Sequence, residues 1–315
     1  MTTALIFHHV EHRHLEALGS SCPQMTFTSC EDRQSLEQNL PMTEILISFK
    51  CDETMLDRAP NLKLVQALTT GVDSFPRQGL AERGILLAST RGIHASHMAE
   101  YAIAAMVMLV RNLHRIARDQ VSHAWARYPQ GEIQNKVLTV VGLGSIGREI
   151  ARKAAFMGME VHGVKKHPEQ IPEVCSLVGL NRLDELLEQS DVVINLLPKT
   201  PETEDLFNME RFSRMKQGAL FINMGRGGSV NEEDLVEALR THHLGGFAGD
   251  VFKQEPLPAD HPLWDEPKAM ITPHICGEST VYMDKAIPVI VQNCRALSRS
   301  RPEDMVNLIE PDQPY

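Results

Sequence analysis

Three side chains in the second half of this 315-residue sequence have the types needed to hold an acid and move a proton: Arg226, Glu255 and His274. A guanidinium grips a carboxylate with two parallel hydrogen bonds. An imidazole exchanges its proton near neutral pH, and a carboxylate beside it favours the protonated ring and fixes its tautomer. Taken singly each residue is ordinary: a surface charge, a loop acid before proline, a satisfied polar side chain. Each one, however, follows a strand-like run. Arg226 comes after residues 219–224, Glu255 after 246–252 and His274 after 270–272. Ligands of open parallel sheets bind beyond the carboxyl ends of the strands, so all three are expected past one sheet edge. Together with a nicotinamide they suffice to reduce a 2-keto acid.

A nicotinamide has to be positioned, and residues 137–150 have the pattern for it. A β-branched apolar run, 137–141, suits a strand buried on both faces. An amphipathic run, 146–157, suits the helix that follows. Gly142-x-Gly144-x-x-Gly147 joins them, with Ser145 and Ile146 at the helix start. Gly142 permits the sharp turn, Gly144 lets a pyrophosphate approach the backbone, and Gly147 lets the helix lie close to the strand. The anion is expected at the helix N-terminus, where unpaired amides and the macrodipole favour it.

Around this motif, strand-like and helical segments alternate along the chain. Before it, strands are expected at 4–7, 25–28, 44–49, 62–68 and 84–89. A long helix is expected at 99–120, and 123–134 breaks the pattern. After the glycine turn come strands at 160–164, 191–197, 219–224, 246–252 and 270–272, with helices at 183–189, 209–215 and 232–241. A helical tail at 287–299 has no strand of its own and is expected to return to the first domain. The fold class is therefore α/β with two doubly wound parallel-sheet domains, a Rossmann nucleotide-binding domain inserted in a flavodoxin-like substrate domain. The expected boundaries are 1–97 with 286–315 for the substrate domain, and 98–285 for the nucleotide domain.

Composition excludes some alternatives. A net charge of −10 is poorly suited to a nucleic-acid surface. The longest apolar run, 102–110, is too short to span a membrane and ends at Arg111. The N-terminus lacks the basic start and cleavage site of a secretory signal, so a cytoplasmic location is expected. Six scattered cysteines read as individual reduced thiols. The cluster His8, His9, His12 and His14 lacks supporting ligands, and no metal is expected.

On these residues the sequence resembles the D-isomer-specific 2-hydroxyacid dehydrogenase family, which includes glyoxylate/hydroxypyruvate reductases. The resemblance spans nearly the whole chain. It rests on the glycine turn, Leu197-Pro198-Lys199-Thr200-Pro201-Glu202-Thr203, Ile222-Asn223-Met224-Gly225-Arg226-Gly227, Gly249-Asp250-Val251-Phe252 with Glu255-Pro256, and Thr272-Pro273-His274-Ile275-Cys276-Gly277, all in family order. It implies that Arg226 binds the substrate carboxylate and carbonyl, that His274 is the proton donor and that Glu255 pairs with it. It also implies that Asp250 meets the nicotinamide, with further cofactor contacts at Leu197, Pro198, Thr203, Met224, Gly225 and Gly277. In the first domain, Thr69-Thr70-Gly71-Val72-Asp73 resembles the loop whose amides hold the substrate carboxylate, a task suited to a turn of exposed N–H groups. Met98-Ala99-Glu100-Tyr101 resembles the start of the interdomain helix, and Asn307 also fits. Phe49 and Lys50, ending a strand, are the candidates for the substrate side-chain pocket.

Two departures stand out. Lys199 replaces a usual apolar residue, and the second nucleotide strand ends Val164-Lys165-Lys166-His167 without the acid that accepts the ribose hydroxyls in NAD-specific sites. Lys165 and Lys166 attract a 2′-phosphate and the nearest acid, Glu169, lies beyond Pro168. NADP is therefore the expected cofactor, with NAD use still open if the lysines are merely solvated. Two rivals share parts of the pattern: formate-type dehydrogenases, which lack the Glu paired with His, and nucleotide-sensing corepressor-like proteins, which keep all three residues. A homodimer through the nucleotide domain is expected, using 99–120 and the stretch with Trp125 and Tyr128. Which 2-keto acid is reduced is not legible.

Overall fold

The structure, a computed structural model, describes residues 2–167 and 169–310. The outer ends expected for the first domain, 1 and 311–315, lie outside them. The chain divides into two compact units, Met1–Ile93 with Ser279–Tyr315, and His94–Glu278. The breaks precede the expected 97/98 and 285/286 because two helices are not shared between units. Helix Ala95–Val110 lies wholly in the second unit, and helix Tyr282–Ser298 wholly in the first.

The first unit is a five-stranded parallel sheet: β1 (Thr2–Phe7), β2 (Met25–Cys30), β3 (Ile45–Ser48), β4 (Leu64–Ala67) and β5 (Leu86–Ala88), in the order β2-β1-β3-β4-β5. The central strands β3 and β4 are buried throughout, as expected of strands covered on both faces. Their one large polar side chain, Gln66, accepts a hydrogen bond from Asn293 Nδ2 at 2.7 Å, so the last helix is tied to this sheet. That helix begins at Tyr282, before the expected 287, and carries Pro288 within it.

The second unit is a seven-stranded parallel sheet. Its strands are β6 (Val137–Val141), β7 (Glu160–Val164), β8 (Ser176–Val178), β9 (Val192–Asn195), β10 (Ala219–Asn223), β11 (Leu244–Gly249) and β12 (Ala269–Ile271). The order β12-β11-β10-β9-β6-β7-β8 reverses direction at β6, the position where such folds bind dinucleotides. Strand β8 was not expected, since three residues carry too little alternation to read.

The single helix expected over 99–120 is two. Helix Ala95–Val110 ends and helix Leu113–Val121 begins at Asn112, whose φ is +50°. Asparagine enters the left-handed region more readily than most residues. Here its side chain also donates to Pro129 O at 2.9 Å, which secures the break.

Candidate active site

The glycine turn between β6 and helix Ser145–Phe156 is tightly packed at two points and open at one. Gly142 has φ +103°, and a Cβ on Gly147 would meet Gly142 O at 2.7 Å. The helix therefore starts as close to the strand as backbone allows. Gly144, by contrast, has no atom within 4 Å of where a Cβ would stand. Ser145 is exposed and Ile146 half-buried in the first helical turn, whose amides have no intrahelical acceptor. An open glycine beside such amides suits a pyrophosphate.

At the ends of β9 and β10 lies a buried polar network that sequence reading missed. Asn195 Nδ2 donates to Asn223 Oδ1 at 2.9 Å and to Ser229 Oγ at 2.7 Å, and all three residues are essentially without exposure. Ser229 Oγ donates in turn to Arg226 O at 2.6 Å, and Leu197 N donates to Asn195 Oδ1 at 3.1 Å. A Cβ on Gly227 would stand 1.9 Å from Phe252 C, so the loop lies directly on the next strand end. Met224 is buried, its amide bonded to Asn195 O, and Gly225 N donates to Asn223 Oδ1. Arg226 is left half-buried at the tip, with Nη1 donating to Gly225 O at 2.9 Å. An asparagine closing each of two apolar runs, Asn195 and Asn223, was the available signal, and it becomes readable once β9 and β10 are known to be neighbours.

Glu255 and His274, separated by nineteen residues, meet: His274 Nδ1 donates to Glu255 Oε2 at 2.6 Å. The other oxygen, Oε1, accepts from Phe252 N at 2.9 Å. The carboxylate is thus held at both oxygens, and an Nδ1–H directed to it leaves Nε2 as the ring's remaining functional atom. His274 has φ +56°, a conformation costing of the order of 1 kcal/mol for a residue with a side chain.

Asp250 holds that turn in place. Fully buried, it accepts from Thr272 Oγ1 at 2.6 Å, Ile275 N at 2.9 Å and Cys276 N at 3.0 Å. Tyr101 O–H completes the chain to Thr272 Oγ1 at 2.6 Å, its phenol pushed up by burial. Burial and the Asp250 charge push the Cys276 thiol up, so it stays protonated beside the site. The carboxylate expected to face a nicotinamide thus braces the turn on both sides of His274. Gly277 O accepts from His97 Nε2 at 3.0 Å.

Thr203 is buried with its hydroxyl turned inward. It donates to Pro198 O at 2.7 Å and accepts from Thr200 N at 2.8 Å, closing the loop after Leu197. One expectation is corrected here. No carboxylate was expected at the end of β7, but the chain folds back so that Glu169 pairs with both Lys165 Nζ and Arg148 Nη2, while Lys166 is exposed. Sequence reading placed Glu169 beyond reach because it measured separation along the chain.

In the first unit, Phe49 and Lys50 follow β3 and are exposed, and Thr70, Gly71 and Val72 follow β4. Val72 buries its side chain, whereas Thr70 and Gly71 are half-buried. Thr69 Oγ1 donates to Gly71 O at 2.6 Å and shapes this turn. The Phe49 ring lies 4.8 Å from His8 and 5.4 Å from Tyr282. Among the described residues no three His, Cys, Asp or Glu side chains converge as metal ligands.

A glycine turn at the reversal of a doubly wound sheet, with a held Arg and a Glu–His pair beyond neighbouring strands, defines a nicotinamide-dependent dehydrogenase. Comparison with known proteins agrees. The family described as "D-isomer specific 2-hydroxyacid dehydrogenase, NAD binding domain" matches residues 103–276. Glyoxylate/hydroxypyruvate reductase A of Yersinia enterocolitica is 30% identical over 264 residues, 82% of this chain and 84% of that protein. The crystal structure of a D-isomer-specific 2-hydroxyacid dehydrogenase family protein from Aeromonas salmonicida superposes with a TM-score of 0.89 at 31% identity, covering 99% of each chain. A D-isomer-specific 2-hydroxyacid dehydrogenase from Xanthobacter autotrophicus, solved with NADPH and MES, gives 0.82 at 27% identity over 98% of each chain. This chain belongs to the D-isomer-specific 2-hydroxyacid dehydrogenase family, and it is an NAD(P)-dependent oxidoreductase interconverting 2-keto acids and D-2-hydroxy acids.

Proposed function

We propose that the enzyme works as a reductase of a small 2-keto acid, with His274 as proton donor, Glu255 as its partner and Arg226 as the anchor of the acid. The observation that carries this reading is the 2.6 Å contact from His274 Nδ1 to a carboxylate that is itself pinned by Phe252 N. The Gly142–Gly147 turn and the first amides of helix Ser145–Phe156 would hold the cofactor's pyrophosphate. When bound, a reduced nicotinamide supplies a hydride to the carbonyl carbon. As the C=O π pair moves onto oxygen, His274 Nε2–H donates its proton there, and the neutral ring is reprotonated from solvent. The Arg226 guanidinium holds the carboxylate and polarises the carbonyl. In the first unit, the amides of Thr70, Gly71 and Val72 are suited to a carboxylate, and Phe49 and Lys50 are the candidates for the substrate's side chain.

Lys165 and Lys166 support a preference for NADP over NAD. The partner we assign is a second copy of the chain, joined through the nucleotide unit. Trp125 is 98% exposed and Tyr128 is packed under Arg115 at 4.2 Å, aromatics of the kind found at interfaces. A cytoplasmic setting agrees with six free cysteines. Among the described residues no helix is long and apolar enough to cross a membrane. Steady-state assays with glyoxylate, hydroxypyruvate and longer 2-keto acids, each with NADPH and NADH, test the reading. Reduction of at least one acid is expected, and no turnover with any of them would overturn it. A dimeric mass at micromolar concentration is expected by light scattering; a monomeric mass would remove the assigned partner.

A further inference from the structure

The end of β7 is where a doubly wound nucleotide domain receives the adenosine ribose. Lys165 is the first residue past this strand, and its amide donates to Val178 O at 3.0 Å, which fixes it at the strand end. Arg148 reaches the same place from the first turns of helix Ser145–Phe156. A single oxygen, Glu169 Oε1, accepts from both Lys165 Nζ and Arg148 Nη2. The Lys165 hydrogen bond, with the Arg148 charge, lowers the Glu169 carboxyl below the usual carboxylate range, so it is ionised at neutral pH. The group is accessible: side-chain exposure is 47% for Glu169, 46% for Arg148 and 27% for Lys165.

We propose that Glu169 is the residue that sets cofactor selectivity, a carboxylate that occupies the Lys165–Arg148 cation pair and competes with a 2′-phosphate for it. This rests on the nucleotide-binding reading above and adds to it a competitor within the chain. One anionic oxygen converging two cations is the arrangement a phosphate oxygen makes with the same groups. A 2′-phosphate therefore has to displace Glu169, or else bear a like charge beside it. A nucleotide with a plain 2′-hydroxyl displaces nothing, since a carboxylate left in place can accept that hydroxyl's hydrogen bond. Arg148 becomes a third cation of the phosphate site, and Glu169 limits how far the three cations favour NADP.

Equilibrium titration of the whole protein with NADPH and with NADH, by calorimetry, tests this without turnover. Glu169→Gln should tighten NADPH binding about 3- to 30-fold at low salt, a gain shrinking at high salt, and leave NADH binding within about twofold or slightly weaker. Adding Arg148→Gln in the same chain should remove most of that gain. An unchanged NADPH affinity, or equal shifts for both nucleotides, would make Glu169 a loop brace and overturn the assignment. If the wild-type protein binds neither nucleotide, the dehydrogenase reading itself fails and this one with it; wild-type binding with an unmoved ratio defeats this one alone.

Discussion

The two sheets end in contrasting ways at the strand ends where ligands of such folds bind. In the second unit, two of the three groups proposed for chemistry sit on loops braced by buried polar side chains, Asn195, Asn223 and Ser229 under the Arg226 loop and Asp250 under the His274 turn, while Glu255 is held by His274 and by Phe252 N. In the first unit the corresponding positions are short turns shaped by single hydroxyls, such as buried Ser48 Oγ donating to Lys50 O at 2.7 Å, and the Phe49 and Lys50 side chains that follow are exposed. Buried networks are costly unless fully satisfied, and when satisfied they fix atoms to within fractions of an ångström. Such precision is needed where the same proton and hydride move on every substrate. Recognition of a variable substituent tolerates change, and exposed side chains suit it.

That contrast can be broken most forcefully at His274. His274→Ala should lower kcat by about 10²- to 10⁴-fold with nucleotide affinity unchanged, read by steady-state kinetics beside calorimetry. A fully active variant would remove the proton donor from the scheme. Glu255→Gln keeps the shape and loses the charge; a loss of about 10- to 100-fold in kcat/KM is expected, in line with a charge-assisted hydrogen bond. If kinetics stay intact while thermal stability falls, the pair is structural.

Asn195→Ala tests the buried support itself. It strips Asn223 and Ser229 of a partner inside the protein, so denaturant unfolding should show a loss of about 1–3 kcal/mol, with Arg226-dependent KM rising. An unchanged stability would mean the network contributes no fixation. Arg226→Lys retains charge without the planar fork and should raise KM and lower kcat together, by about tenfold in kcat/KM. The first unit should respond least. Phe49→Ala tests the role proposed for this unit: a change of about threefold in relative kcat/KM between larger and smaller 2-keto acids is expected, the worth of ~30 Å² of apolar contact at ~25 cal/mol per Å². A collapse in kcat for all acids alike would overturn that role.

Most strands were legible because their apolar runs are long enough to show a pattern; β6 and β7 fall where expected, residue for residue. Strand β8 is three residues long and gave no periodic signal. The helix break at Asn112 was hidden because apolar spacing continues on both sides, while the cause is one positive φ and a side-chain bond to Pro129. The glycine turn and the order of Arg226, Glu255 and His274 were visible as residue types. The Asp250 brace was not. Its three donors sit twenty-two to twenty-six residues downstream, across a strand pair whose adjacency no local pattern states.

What the sequence by itself determined, then, is everything carried by neighbours along the chain: βα alternation, a glycine turn before a helix, and polar residues placed just after strands. These follow from backbone preference and from side-chain periods of a few residues. Tertiary structure decided which of those residues meet. His274 finds Glu255 because β11 and β12 are adjacent and parallel, and Glu169 returns to Arg148, twenty-one residues earlier, because the loop after β7 turns back toward the helix start. Such pairings depend on strand order and on loop direction, which are set by packing of the whole sheet and not by the residues that end up touching.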